Sequence, residues 1–142
     1  MEAEALKGHC LCGAVTITAH RHASSASACH CETCRRWSGS ALLCFDVPED
    51  AITVEGPVAR YRSSSFAERA WCPTCGTHLW IKDDNEGYDL FPGLFPGAAG
   101  MPLSHEIFIE EALACMRFAG THPRHSREAY MTSVGLLPER RA

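Results

Sequence analysis

With 142 residues, 46% hydrophobic and 21% charged, the chain has the make-up of one soluble globular domain (residues 1–142) rather than of a disordered segment. Its formal net charge of −4 argues against nucleic acid or an anionic membrane as the main partner. The Arg35-Arg36 and Arg140-Arg141 pairs are too short to make a basic face.

The N-terminus, Met1-Glu2-Ala3-Glu4-Ala5-Leu6-Lys7, carries acids and no apolar run, so it does not read as a secretory signal. Nothing approaches the ~20 consecutive apolar residues of a membrane span. The expected compartment is the cytoplasm, where nine cysteines suggest metal ligands or catalysis before disulfides.

In chain order, residues 9–19 come first. Val15, Ile17 and Ala19 alternate with Thr16 and Thr18, the pattern of a half-buried strand. Ahead of them, Cys10-Leu11-Cys12-Gly13 puts two thiols on one side of an extended backbone, and Gly13 permits a turn that brings both to one ion. Ser24 to Ala28 reads as a small-residue linker. It leads to Cys29-His30-Cys31-Glu32-Thr33-Cys34, three thiols within six positions. A Cys-x-x-Cys knuckle supplies Cys31 and Cys34 from one tight turn, and Cys29 adds a third. Three thiolates leave a tetrahedron one corner short, which a catalytic zinc needs and a structural zinc avoids.

After a Ser38-Gly39-Ser40 turn, residues 41–45 read as a buried strand that holds Cys44 as a small hydrophobe. Residues 52–55, 58–63 and 66–71 read as further short strands. Trp71-Cys72-Pro73-Thr74-Cys75-Gly76 is a knuckle with a preset turn: proline fixes its start, and glycine lets amide N–H groups aim at the sulfurs. It needs two more ligands, and Cys10 with Cys12 are the available complement. Asp83 to Gly87 reads as a solvated turn, 88–91 as a strand, and Leu94 with Phe95 as an apolar loop forming a wall of the site. Residues 105–109 close the strand series. From about Thr121 to Ala142 the chain carries Pro, His and Arg without periodicity, the pattern of a partly mobile tail. The fold class is mainly β.

With these clusters laid out, the chain resembles the glutathione-dependent formaldehyde-activating (GFA) family, which has the Mss4-like complex β-fold of short antiparallel strands. The resemblance is carried by Gly8-His9-Cys10-Leu11-Cys12-Gly13-Ala14-Val15, Cys29 to Arg35, and Trp71 to Thr77, with Tyr88-Asp89 and His105-Glu106-Ile107-Phe108 further along. It spans about residues 5–110. Beyond it the tail departs from the family pattern, with Cys115 where an aromatic is common.

The resemblance implies two Zn2+ ions per chain. Cys10, Cys12, Cys72 and Cys75 would hold a structural one, and Cys29, Cys31 and Cys34 an open, catalytic one. Spacing alone leaves open a Cys10/Cys12 pairing with the central cluster, and leaves open iron in place of zinc at the four-thiolate site. Seven thiolates on two dications would take the net charge to about −7.

The activity implied is that of a carbon–sulfur lyase. A small-molecule thiol such as glutathione takes the open corner and its sulfur attacks formaldehyde or a related small aldehyde. His30 or His78 would serve as the proton donor, and Arg35 as partner to a substrate carboxylate. Two other readings stay open: a non-catalytic zinc-stabilised binding module, and a thiol redox enzyme using Cys44 or Cys115.

Overall fold

The computed structural model describes residues 4–135. The described chain is mainly β, with eleven strands and two short helices. In order these are β1 (Leu6–His9), β2 (Thr16–Ala19), β3 (Ala26–Cys29), α1 (Glu32–Ser38), β4 (Leu42–Val47), β5 (Ile52–Glu55), β6 (Ala59–Arg62), β7 (Ala67–Trp71), β8 (His78–Asp83), β9 (Tyr88–Leu90), β10 (Leu103–Ile107), β11 (Arg124–His125) and α2 (Arg127–Ser133). No described helix is long and apolar enough to cross a membrane. The chain divides into two compact units, one of residues 4–26 and 44–102, the other of 27–43 and 103–135.

The first unit holds a three-stranded antiparallel sheet in the order β1-β2-β5, with Ile17 opposite Gly8 on one side and Val54 on the other. It also holds an antiparallel ladder in which β4 pairs β9, β9 pairs β8, β8 pairs β7 and β7 pairs β6. The alternation read from residues 15–19 is the alternation observed. Val15, Ile17 and Ala19 are buried and Thr16 is exposed. Their core partners are Phe45, Val47, Leu79 and Leu90, each at most 1% exposed. Burial of side chains of this size contributes about 1.5–3 kcal/mol apiece.

Phe95 belongs to this core, and Leu94 packs against it partly buried. Phe95 is 2% exposed and meets Phe45 edge to face at 5.5 Å. The reason is a close approach: the Leu94 carbonyl and the Phe95 ring press against Gly8, where a Cβ has no room.

In the second unit β10 and β11 run parallel, with Glu106 opposite Arg124 and Ile107 opposite His125. Ser24 to Ala28 is not simply a linker, because Ala26–Cys29 is strand β3. The knuckle after it continues into α1, and Arg127–Ser133 forms α2 where no periodicity had suggested a helix. Ser126 caps α2 by accepting from the Ala129 amide, and Met131 anchors it at 1% exposure. The last seven residues of the expected tail, 136–142, lie outside the described residues. Phe108 stands at φ 57°, an unusual conformation for a bulky side chain. It is held there by burial, by Tyr130 edge-on at 5.3 Å and by the Arg127 guanidinium 4.6 Å over its ring.

The Gly8 contact makes a direct test. Gly8→Ala should destabilise the chain by about 1–3 kcal/mol through overpacking, read as a lowered thermal midpoint at fixed zinc concentration. An unchanged midpoint would contradict the packing described.

Candidate functional site

Each unit gathers one group of cysteines. In the first, the sulfurs of Cys10, Cys12, Cys72 and Cys75 all lie within 4.8 Å of one another. Cys10 and Cys12 are 3.6 Å apart and Cys12 and Cys72 3.8 Å. Four thiolates around zinc at Zn–S distances of about 2.3 Å would stand about 3.8 Å apart. The donor set therefore fits a tetrahedral thiolate site.

Two local turns build the group. The Cys10 amide donates to the Val15 carbonyl and the Val15 amide to the Cys10 sulfur, at 3.0 and 3.3 Å. Around the other pair, the Gly76 amide donates to the Cys72 carbonyl at 2.8 Å, with Gly76 at φ 78°. That left-handed turn is cheap for glycine and costly for other residues. Thr77 joins the two turns: its hydroxyl accepts from the Leu11 amide at 3.0 Å and lies 3.1 Å from the Cys75 sulfur.

The thiols divide their protons unequally. The Thr77 hydroxyl and amide, with a further amide from Cys12, hold the Cys75 thiol down to about 5. A backbone hydrogen bond from Ala14 works in the same direction on Cys12. Desolvation and the neighbouring thiols outweigh it and push Cys12 up to about 11.

The second unit brings Cys29, Cys31 and Cys34 together, again with all sulfurs within 4.8 Å. Cys31 and Cys34 are buried at 1% and 4% exposure, and Cys29 is half-buried. Cys31 is the N-cap of α1, and its sulfur accepts from the Cys34 amide at 3.4 Å. Cys31 and Cys34 close by, together with burial, push the Cys29 thiol far up. Three such thiols can ionise together only with a cation among them, so this donor set also fits a metal, with one position left over. No fourth cysteine, histidine or carboxylate completes the group among the described residues.

A network of charged side chains meets the stretch that carries the three thiols. His30, 0% exposed, donates from Nε2 to Glu106 Oε1 at 2.6 Å. His122 Nε2 and Arg124 Nε donate to Glu106 Oε2 at 2.6 and 3.1 Å. Glu111 accepts from the Glu32 amide at 3.2 Å and from Arg127 Nε at 2.7 Å, so it steadies the first turn of α1. Arg35 donates from Nε to the His30 carbonyl at 3.1 Å. Arg35 also lines an open cavity of about 350 Å³ together with Glu32, Arg36, Gly39 and Leu113.

Among the other singled-out residues, His78 opens β8 in the first unit, where burial and the Arg69 charge hold its imidazole below the usual histidine range. Cys44 is buried in β4 and Cys115 is exposed, and neither belongs to a thiol group. Glu111 had no signal in the sequence, and Glu106 stood out only as part of the stretch that carries the resemblance. One partner of each lies 76 and 79 residues away, and only folding pairs them.

Comparison with known proteins shows the family. Residues 5–110 match the family model described as glutathione-dependent formaldehyde-activating enzyme. The chain belongs to the GFA family. It is 33% identical over 131 residues to an uncharacterized lyase of Schizosaccharomyces pombe, covering 90% of this chain and 96% of that one. It is 30% identical over 88 residues to a Halomonas elongata protein provisionally named a glutathione-dependent formaldehyde-activating enzyme, covering 55% and 56%. In fold it resembles the crystal structure of a Rhodobacter sphaeroides protein, with a TM-score of 0.56 and 24% identity over 68% of this chain and 98% of that one.

The Glu106 shell has a pH signature. Burial alone would raise the Glu106 carboxyl; hydrogen bonds from His122 and His30, with the Arg124 charge, outweigh it and hold it below its usual value. The folded chain then binds this proton less readily than the unfolded one. The network's stabilisation is present above the ordinary value of 4.5 and is lost as pH falls through the lowered one. Glu106→Gln should cost about 3 kcal/mol or more at neutral pH, with the gap to wild type closing in acid. Thermal melts of both proteins from about pH 7 to about pH 3.5 check this, and a pH-independent gap would contradict it.

Proposed function

We propose that this GFA-family chain is a zinc-dependent carbon–sulfur lyase whose reverse reaction adds a small thiol, such as glutathione, to formaldehyde or a related small aldehyde. The observation that carries the reading is the contrast between the two thiol groups, one of four sulfurs and one of three. The family match and the names of the two relatives support it.

Cys10, Cys12, Cys72 and Cys75 would hold a structural zinc, and Cys29, Cys31 and Cys34 an open one. A zinc ion in the open group would supply Lewis acidity and lower the pKa of a thiol that takes its vacant position. Three thiolates leave such a site with a charge of about −1, so a proton must be moved locally and not simply repelled. His30, which lies between two of the thiols in sequence, would carry that proton, with His78 as the alternative. In the addition, the thiol sulfur forms a bond to the carbonyl carbon, the C=O π bond breaks, and the thiol's hydrogen ends on the new hydroxyl oxygen. No external oxidant or reductant is needed.

Arg35 would recognise the substrate. Its Nε is fixed on the His30 carbonyl, which leaves the two terminal nitrogens for a carboxylate in the adjoining cavity. Glutathione offers two carboxylates, and formaldehyde needs no recognition beyond access.

Calorimetry of glutathione binding together with elemental analysis tests this. Cys31→Ser should lose one zinc per chain, glutathione binding and turnover while keeping the fold. Arg35→Ala should weaken glutathione binding about tenfold or more, and have little effect on a thiol that lacks a carboxylate. Glutathione binding that survives in Cys31→Ser would refute the reading.

A further inference from the structure

The four-sulfur group has an inner and an outer edge. Cys10 and Cys72 are fully buried, whereas Cys12 is exposed and Cys75 half-buried. Water and competing ligands reach the group from the Cys12–Cys75 side, so a bound ion is gained and lost there.

One side chain ties this outer edge together. The Thr77 hydroxyl oxygen accepts from the amide of Leu11, the residue between Cys10 and Cys12, at 3.0 Å. The same oxygen lies 3.1 Å from the Cys75 sulfur. A metal-bound cysteine is a thiolate and only accepts, so with an ion in place the hydroxyl hydrogen points to that sulfur. The hydroxyl then accepts from one cysteine turn and donates to the other. The Thr77 carbonyl adds a third tie, accepting from the Cys72 amide at 2.9 Å. Leu11 is 86% exposed, so its side chain contributes almost no packing to hold its own turn.

We propose that Thr77 is the clasp of the four-sulfur group: its hydroxyl joins the two cysteine turns at their exposed edge and sets how tightly and how long a zinc ion is held there. Four thiolates on one Zn2+ carry a net charge of about −2, and a donor at an outer sulfur offsets part of it. Without the hydroxyl, the Leu11 turn loses its tie to the second knuckle and Cys12 is free to swing from the ion. Partners of this kind typically change metal affinity about 10–100-fold when removed. The inference rests on the four-sulfur group holding an ion and does not depend on the lyase reaction.

The test uses the full chain saturated with 113Cd2+, a soft dication suited to the same thiolates, whose NMR resonance reports the sulfurs around each ion. Thr77→Val keeps the branched shape and removes the hydroxyl. In it the four-sulfur resonance should move while the three-sulfur one stays. Loss of the four-sulfur ion to excess EDTA, followed by that resonance, should quicken about 10–100-fold. Thr77→Ser restores the hydroxyl and should release the ion within about threefold of the wild-type rate. Equal release from Thr77→Val and wild type, or a Thr77→Ser as labile as Thr77→Val, would overturn the proposal. A readout on the wild type alone needs no variant to fold. Hydrogen exchange at the Leu11 amide of the loaded chain should be at least about tenfold slower than at a free amide, and unprotected exchange there would also overturn the clasp. A wild type that forms no four-sulfur resonance would refute the metal reading and the proposal with it. A wild type that forms one, with Thr77→Val behaving identically, would leave the metal site standing and refute the clasp.

Discussion

Seven sulfurs gathered into two tight groups are the constraint on which the rest of this molecule depends. Two unit charges 4 Å apart repel by about 4 kcal/mol at an effective dielectric constant of 20, so a group of three or four thiolates is untenable without a cation among them. Burial and neighbouring thiols push Cys12 and Cys29 up, which keeps these two protonated when no cation is among them. A dication turns that mutual repulsion into attraction. In small zinc modules the gain is about 10–16 kcal/mol, comparable with the net stability of a domain. The short strands of the first unit, mostly three to six residues long, are of the kind that needs such a staple.

The two groups are built differently. The four-sulfur group is made from two turns drawn together by Thr77, with the remaining bonds supplied by backbone amides. The three-sulfur group is made from one continuous stretch, a strand end, a helix cap and the first turn of α1, and is steadied by carboxylates from elsewhere. Glu111 holds the α1 amide and Arg127, while Glu106 holds His30, His122 and Arg124. Hydrogen-bonded carboxylates meet the stretch that carries the second group, whereas the first is held mainly by backbone amides and Thr77.

Much of this was legible in the sequence, and the limits are physical. The cysteine spacings were readable because a metal demands convergent ligands, and convergence from short turns leaves a short-range pattern. Val15, Ile17 and Ala19 were readable because a half-buried strand alternates. Helix α1 was not, since seven residues make barely two turns and a Cys-x-x-Cys knuckle opens the same way whether or not a helix follows. Helix α2 has one signal, the capping Ser126, which a stretch rich in Pro, His and Arg obscures. Phe95 read as part of a loop walling the site, because only the tertiary approach to Gly8 shows that it packs into the core. Glu106 stood out only as part of the stretch that carries the resemblance; its importance comes from His30, 76 residues earlier, and from donors beyond the family-matched region.

Zinc K-edge X-ray absorption on the purified chain, with and without glutathione, tests the central claim most directly. One four-sulfur and one open three-sulfur site predict a mean of about 3.5 sulfurs per zinc, rising to about 4 when the glutathione sulfur joins the open site. A sulfur count that does not change on saturation with glutathione, or a single zinc per chain, would contradict the account.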